Sequence, residues 1–182
     1  MRVFLACRLA AADAAQLQGA LEPLKREVAA ARFRWIAPAN YHVTLRFFGT
    51  LTEEVVDDVC RLIEPVVAGV RLPIACRVAA SLALPSWSRP AVLALELESA
   101  GMLEDLAAAC DAVVAPRYGA ADHPFRAHLT VARCRRPRRM MPPAAAVQFD
   151  FDMASCGIYR STLSPNGARY DALCEFGFTG AK

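Results

Sequence analysis

The chain has 182 residues, of which 55% are hydrophobic and 21% charged, with a formal net charge of +3. That length suits one compact domain, and the apolar share excludes both a disordered chain and a small scaffold that needs disulfides to stay folded. Arginine carries nearly all of the positive charge, since Lys25 and Lys182 are the only lysines; its planar fork suits phosphate, although over the surface as a whole the preference reads as compositional bias.

Val3 to Leu9 reads as a buried strand. Leu17, Leu21, Leu24 and Val28 then recur at helical spacing, with Pro23 bending the helix. Tyr41 to Phe48 is a second strand, closed by Gly49, and Thr52 is an N-cap before Glu53 and Glu54. The helix that follows carries Val55, Val59, Leu62, Ile63 and Val66 on one face. Strands are expected at Leu72 to Leu84 and Val92 to Leu97, separated by a loop with Pro85, Trp87 and Pro90. Ser99 caps a third helix with Leu103, Leu106, Cys110 and Val113 facing inward. A strand from Ala127 to Ala132 runs into an arginine- and proline-rich loop, Arg133 to Pro143. Three strands close the chain: Val147 to Ala154, Gly157 to Leu163 and Tyr170 to Phe176. The stretch Ser164-Pro165-Asn166-Gly167 reads as the hairpin turn between the last two.

The cysteines Cys7, Cys60, Cys76, Cys110, Cys134, Cys156 and Cys174 are odd in number and form no C-x-x-C pair. Reduced, mostly buried thiols in a cytoplasmic protein are therefore expected, rather than a disulfide framework or a zinc site. Met1 to Ala15 mimics a signal peptide only superficially, because Arg8 interrupts its short apolar stretch. No run of about eighteen uncharged apolar residues exists, so no membrane span is expected.

Two tetrapeptides echo each other, His42-Val43-Thr44-Leu45 and His128-Leu129-Thr130-Val131, 86 residues apart. Each lies in an expected strand, where period-2 alternation sends histidine and threonine to one face and the aliphatics to the other. If the halves pack about a pseudo-twofold axis, both pairs converge on one cleft. Phosphodiester chemistry suits such a pair: one imidazole takes a proton from the attacking group while the other protonates the departing oxygen. The threonine hydroxyls, Thr44 and Thr130, would hold the non-bridging phosphate oxygens as their charge grows. The scheme requires neither metal nor cofactor. The same alternation puts Arg46 and Phe48 on the cleft side. Arg133 falls on the opposite face from His128 unless the strand bulges or ends there. His123, before Pro124, reads as a surface residue.

At these residues the chain resembles the two-histidine phosphoesterase superfamily, most closely its RNA 2′,3′-cyclic phosphodiesterases, also called 2′-5′ RNA ligases. The matching text is Asn40 to Gly49 and Phe125 to Arg133, with the opening Arg2-Val3-Phe4-Leu5-Ala6 and the late Tyr159 to Leu163, Gly167 and Tyr170 also similar. Ala127 stands where that family commonly has proline. The resemblance implies an α+β fold, one bilobal domain over 1–182, in which two antiparallel sheets line a central cleft with helices outside. It implies an enzyme that hydrolyses a terminal 2′,3′-cyclic phosphate of RNA to a 2′-phosphate, with ATP-independent 2′-5′ ligation as the reverse direction. It makes His42 the proton donor and His128 the proton acceptor, Arg133 a phosphate contact and Tyr159 a residue near the groove. From the residues alone the two histidines are interchangeable. The expected partner is RNA bearing a cyclic phosphate end, bound by a monomer. Arg133, Arg135, Arg136, Arg138 and Arg139 would follow its backbone.

Three other readings remain open at this level. The substrate could be a small cyclic nucleotide, because the histidines meet only the phosphate. The cleft could hold RNA ends without turnover. A metal hydrolase using His42, His123 and His128 lacks the H-E-x-x-H or carboxylate spacing such sites need.

Overall fold

The computed structural model describes residues 1–31, 33–134, 136–164 and 167–179. In chain order these form β1 (Arg2–Arg8), α1 (Ala11–Ala20), α2 (Glu22–Glu27), β2 (Arg34–Trp35), β3 (His42–Thr50), α3 (Glu53–Ala68), β4 (Ile74–Leu84), β5 (Val92–Glu98), α4 (Met102–Tyr118), β6 (His128–Arg133), β7 (Asp150–Met153), β8 (Ser155–Ser164) and β9 (Gly167–Gly177). Short 3₁₀ turns sit at Ala29–Ala31 and Pro38–Asn40. The fold is α+β. Its strands make two antiparallel sheets, one ordered β3-β1-β8-β9 and the other β2-β6-β5-β4-β7.

Sequence explains most of these elements. Pro23 lies in the first turn of α2, and the chain breaks at Leu21, so the expected bent helix is two helices. Leu17, Leu21, Leu24 and Val28 are all buried across that break. Thr52 caps α3 by accepting from the Val55 amide at 3.5 Å. The buried face of α3 is Val56, Val59, Ile63 and Val67, rotated slightly from the expected stripe, with Val55, Leu62 and Val66 at its margin. Ser99 acts from just before α4: its hydroxyl accepts from the Leu103 amide at 3.1 Å and donates to Glu104. The final strands pair from Ser155↔Gly177 to Ser164↔Gly167; Pro165 and Asn166 of the expected turn lie outside the described residues.

Three expectations change. β7 is shorter than Val147 to Ala154, and the unforeseen two-residue β2 pairs with the end of β6. Cys60 on α3 and Cys174 on β9 form a disulfide, with Cα atoms 6.8 Å apart, so the thiols are not all reduced. Their separation of 114 residues hid the pair, because only the packing of α3 behind β9 brings them together. Cys7, Cys76, Cys110 and Cys156 are free and buried, and Cys134 is free and half-buried.

Both sheets contribute to one core, in which Val3, Leu5 and Val43 of the first meet Leu93, Leu95 and Leu129 of the second. Helices α3 and α4 lie against each other and cover the back of the first sheet. Lys25 of α2 stacks over Trp35 of β2 at 5.5 Å, beside the second sheet. No helix among the described residues is long and apolar enough to cross a membrane.

Candidate active site

β3 is the edge strand of its sheet, β6 is covered only by the short β2, and the two strands adjoin where the sheets meet. Alternation sorts their side chains as their sequences require. Val43, Leu45, Leu129 and Val131 are buried in the common core, while His42, Thr44, His128 and Thr130 stand half-buried on the opposite, groove-lining face. Neither threonine hydroxyl is engaged within the chain among the described residues.

The histidines are held alike. Nδ1 of His42 lies 2.7 Å from the Asn40 carbonyl oxygen, and Nδ1 of His128 lies 2.8 Å from that of Arg126, each two residues upstream. A carbonyl only accepts, so Nδ1 carries the hydrogen in both rings and Nε2 is left free for proton transfer. The equivalence continues along the strands. On β3, Thr44 pairs with Ala6 and Arg46 with Leu5, leaving Leu45 as an extra residue. On β6, Thr130 pairs with Ala94 and Ala132 with Leu93, leaving Val131 as the extra residue. Each motif therefore bulges three positions after its histidine, and beyond a bulge the alternation of faces is reversed.

That reversal reassigns several side chains. Arg133 comes to the groove side, close enough for its charge to act on His42. Arg46 does the opposite of what alternation predicts: it turns inward, is 5% exposed, pairs with Asp111 of α4 and donates to the Gly119 carbonyl. Phe48 follows it into the core margin, with the Arg46 guanidinium 5.1 Å above its ring. Neither residue lines the groove. Phe47 takes that place instead, 68% exposed and with its ring 6.0 Å from that of Phe4. Only knowledge of the bulge would have singled it out.

The groove floor on this side is a small aromatic cluster from β1, β8 and β9. Phe4 and Tyr170 pack their rings 5.1 and 5.0 Å from His42. Tyr159 packs beneath the groove with Phe4 and Ala6 and is 1% exposed; its hydroxyl donates to Glu175 at 2.7 Å and the Arg8 guanidinium lies over its ring at 5.4 Å. It is a platform rather than a surface for ligand. Arg8 itself, the cross-strand partner of His42, went unnoticed in the sequence because it lies in a strand otherwise read as core.

Burial beneath these rings pushes the His42 pKa down to about 4, partly opposed by the Asn40 carbonyl and reinforced by the charges of Arg133, Arg8 and His128. His42 is thus neutral at pH 7 while the groove is empty. His123 is exposed and lies apart, at a hollow lined also by Asp111, Asp122 and Phe125 between α4 and the loop after it. The three histidines do not converge, and among the described residues no cluster of three or more His, Cys, Asp or Glu is placed to hold a metal.

Known proteins share this fold. The family model described as LigT-like phosphoesterase matches residues 9–76, which contain the first motif. An RNA 2′,3′-cyclic phosphodiesterase of Thermus thermophilus is 28% identical over 151 residues, 80% of this chain and 75% of that one. The crystal structure of the Thermus thermophilus protein TT0787 superposes with a TM-score of 0.82 at 27% identity, covering all of both chains. Escherichia coli LigT complexed with 3′-AMP shares the fold at a TM-score of 0.79 and 21% identity, over 98% of each chain.

Proposed function

We propose that the chain is a LigT-like phosphoesterase, the family whose model matches residues 9–76, and that it hydrolyses a 2′,3′-cyclic phosphate at the end of an RNA to a 2′-phosphate. The observation that carries this reading is the pair of imidazoles on adjoining strands, each with Nδ1 tied to a backbone carbonyl and Nε2 free. Such a pair supplies one acceptor and one donor to a single phosphorus without a metal.

In the proposed reaction His128 takes a proton from water as it attacks phosphorus, and His42 protonates the 3′ oxygen as the bond from phosphorus to that oxygen breaks. Thr44, Thr130 and Arg133 hold the non-bridging oxygens, whose charge grows in the five-coordinate transition state. His42 must then gain its proton with the substrate. Burial, reinforced by the arginine charges, keeps His42 neutral in the empty groove; a phosphodiester anion between the rings supplies the missing counter-charge, so binding itself favours the imidazolium. With the 5′-hydroxyl of a second strand in place of water, the same groups would form a 2′-5′ diester without ATP, His128 taking the proton of that hydroxyl and His42 protonating the departing 3′ oxygen.

The test is product analysis on an oligonucleotide ending in a 2′,3′-cyclic phosphate, in excess chelator. A 2′-phosphate product supports the reading, and absence of turnover, or turnover only with added metal, overturns it. The roles separate on a substrate whose 3′ bridging oxygen is replaced by sulfur, which departs without a proton. His42→Ala should recover most of its lost rate on that substrate and His128→Ala should not; the reverse pattern exchanges donor and acceptor.

A further inference from the structure

One cation on the groove floor has no counterpart in the roles assigned above. Arg8 ends β1, directly across from His42. It shares the face of Phe4 and Ala6, the two β1 residues packed with Tyr159, and its guanidinium lies over that tyrosine ring. Among the described residues a single donor is spent, Nη2 to the Ala39 carbonyl at 2.5 Å. A guanidinium carries five N–H donors in a fixed plane, so most of the fork is unspent.

Among the described residues Arg8 also lacks an acid within ion-pair distance. The inward-facing Arg46 pairs with Asp111, Arg160 with Asp171 and Arg126 with Glu96. Arg8 and Arg133 have no acidic partner among the described residues, and these are the two arginines whose charges act on His42. A half-buried cation left without a counter-ion is unfavourable unless an anion arrives to complete it. The stack on Tyr159 and the bond to Ala39 hold the fork in place beforehand, which lowers the ordering cost when a ligand binds.

We propose that Arg8 is the second arm of an anion clamp, gripping the reacting phosphate from the sheet that carries His42 while Arg133 grips it from the sheet that carries His128. The assignment rests on the phosphodiesterase reading of the groove and adds to it a phosphate-binding residue outside both histidine motifs. The clamp acts on the non-bridging oxygens, one guanidinium from each lobe, so it strengthens binding of any phosphate monoester or diester anion regardless of the base attached.

A purely structural Arg8 would do something different. Through Ala39 it pins the 3₁₀ turn at Pro38–Asn40, whose Asn40 carbonyl orients His42, and its loss would then disturb ring geometry without touching anion affinity. The deciding experiment titrates inorganic phosphate into the wild-type chain and into Arg8→Met and Arg133→Met at low salt and about pH 6, following the His42 imidazole by NMR. Methionine keeps the apolar stem over Tyr159 and removes only the charge and the donors. Each variant should bind phosphate about tenfold or more weakly, the loss of one charge-assisted contact. In the phosphate-free state the His42 titration should rise above its wild-type position in both. On a cyclic-phosphate oligonucleotide Arg8→Met should raise KM more than it lowers kcat.

In the wild-type chain, without any substitution, the Arg8 Nε–H resonance should shift on adding phosphate, which keeps the test available if a variant folds poorly. An unshifted Arg8 signal at saturating phosphate, or wild-type phosphate affinity in folded Arg8→Met, overturns the clamp while leaving the turnover reading intact. A wild-type chain that turns over no cyclic phosphate removes the reading of the site and the clamp with it.

Discussion

In the proposed reaction His42 concentrates the residue-scale chemistry, because one ring is asked to be neutral when the groove is empty and charged when it is full. Its pKa of about 4 in the empty site follows from burial under Phe4 and Tyr170 and from two guanidinium charges. An anion between the rings favours the protonated form, so the bound pKa is higher, and in the window between the two values one proton is taken up with the ligand. Affinity should accordingly fall as pH rises through the bound value. Calorimetry with sulfate, which does not itself titrate there, reads the uptake as a dependence of the binding heat on buffer ionisation. Affinity and heat that ignore both pH and buffer between about pH 4.5 and 7 would remove the donor role. Phe47 is a second residue-scale case. An aromatic ring 68% exposed and next to Phe4 of the groove floor offers a face on which a nucleobase can stack, worth about 1–3 kcal/mol per base. Phe47→Ala should therefore raise KM for a nucleoside cyclic phosphate by roughly five- to a hundredfold while leaving the unfolding midpoint nearly unchanged. An unaltered KM would leave the ring without a place in recognition.

The strand bulges belong to the scale of the element, since the residues inserted at Leu45 on β3 and Val131 on β6 decide which neighbours of each histidine face the groove. Arg46 makes this measurable. Turned inward to Asp111 and the Gly119 carbonyl, it joins β3 to α4, and Arg46→Met leaves the Asp111 carboxylate without its partner. A loss of roughly 2–4 kcal/mol of stability is expected, at the lower end of what breaking buried pairs costs because Asp111 is 29% exposed. Denaturant midpoints read that loss, and KM should stay unchanged; a stable variant with a raised KM would return Arg46 to the groove. The same bulges mark how far the sequence is readable. Alternation placed His42, Thr44, His128 and Thr130 on one face and their aliphatic partners in the core, because between histidine and threonine each strand is regular. It misplaced Arg46 and Phe48 and overlooked Phe47, because a bulge is set by pairing with β1 or β5 and leaves no local composition signal. Arg133 was recoverable only by supposing a bulge, and the structure has one. β2, two residues long, and the Cys60–Cys174 pairing were invisible for a related reason: both exist only through partners distant in the chain.

Across the whole molecule the charge is modest, +3 over 182 residues, but arginines cluster in the segment that begins at the end of β6. The segment after β6 leaves the site at Arg133 and is tied down at intervals. Cys134 bonds its amide to Ala91, Met140 bonds to Trp87, and the Glu27 carboxylate accepts from the amides of Ala144 and Ala145. Between those ties Arg136, Arg138 and Arg139 are exposed and lack an acidic partner among the described residues, outside which Arg135 lies. On the proposed function these arginines offer partners to the phosphates of the nucleotides that precede a cyclic end. Each phosphate neutralised there releases condensed counter-ions, and single-stranded binding weakens with salt by a slope of about 0.7 per contact. With all three arginines changed to alanine, the slope of log kcat/KM against log salt for an oligonucleotide should flatten by about 2, while hydrolysis of a mononucleoside 2′,3′-cyclic phosphate should keep its rate. That pairing of substrates separates backbone tracking from chemistry. If the triple variant handles both substrates like the wild-type chain at every salt concentration, the loop is a solvated surface and the strand leaves the groove by another route; if both fall together, the arginines act on the reacting phosphate itself rather than on the chain that precedes it.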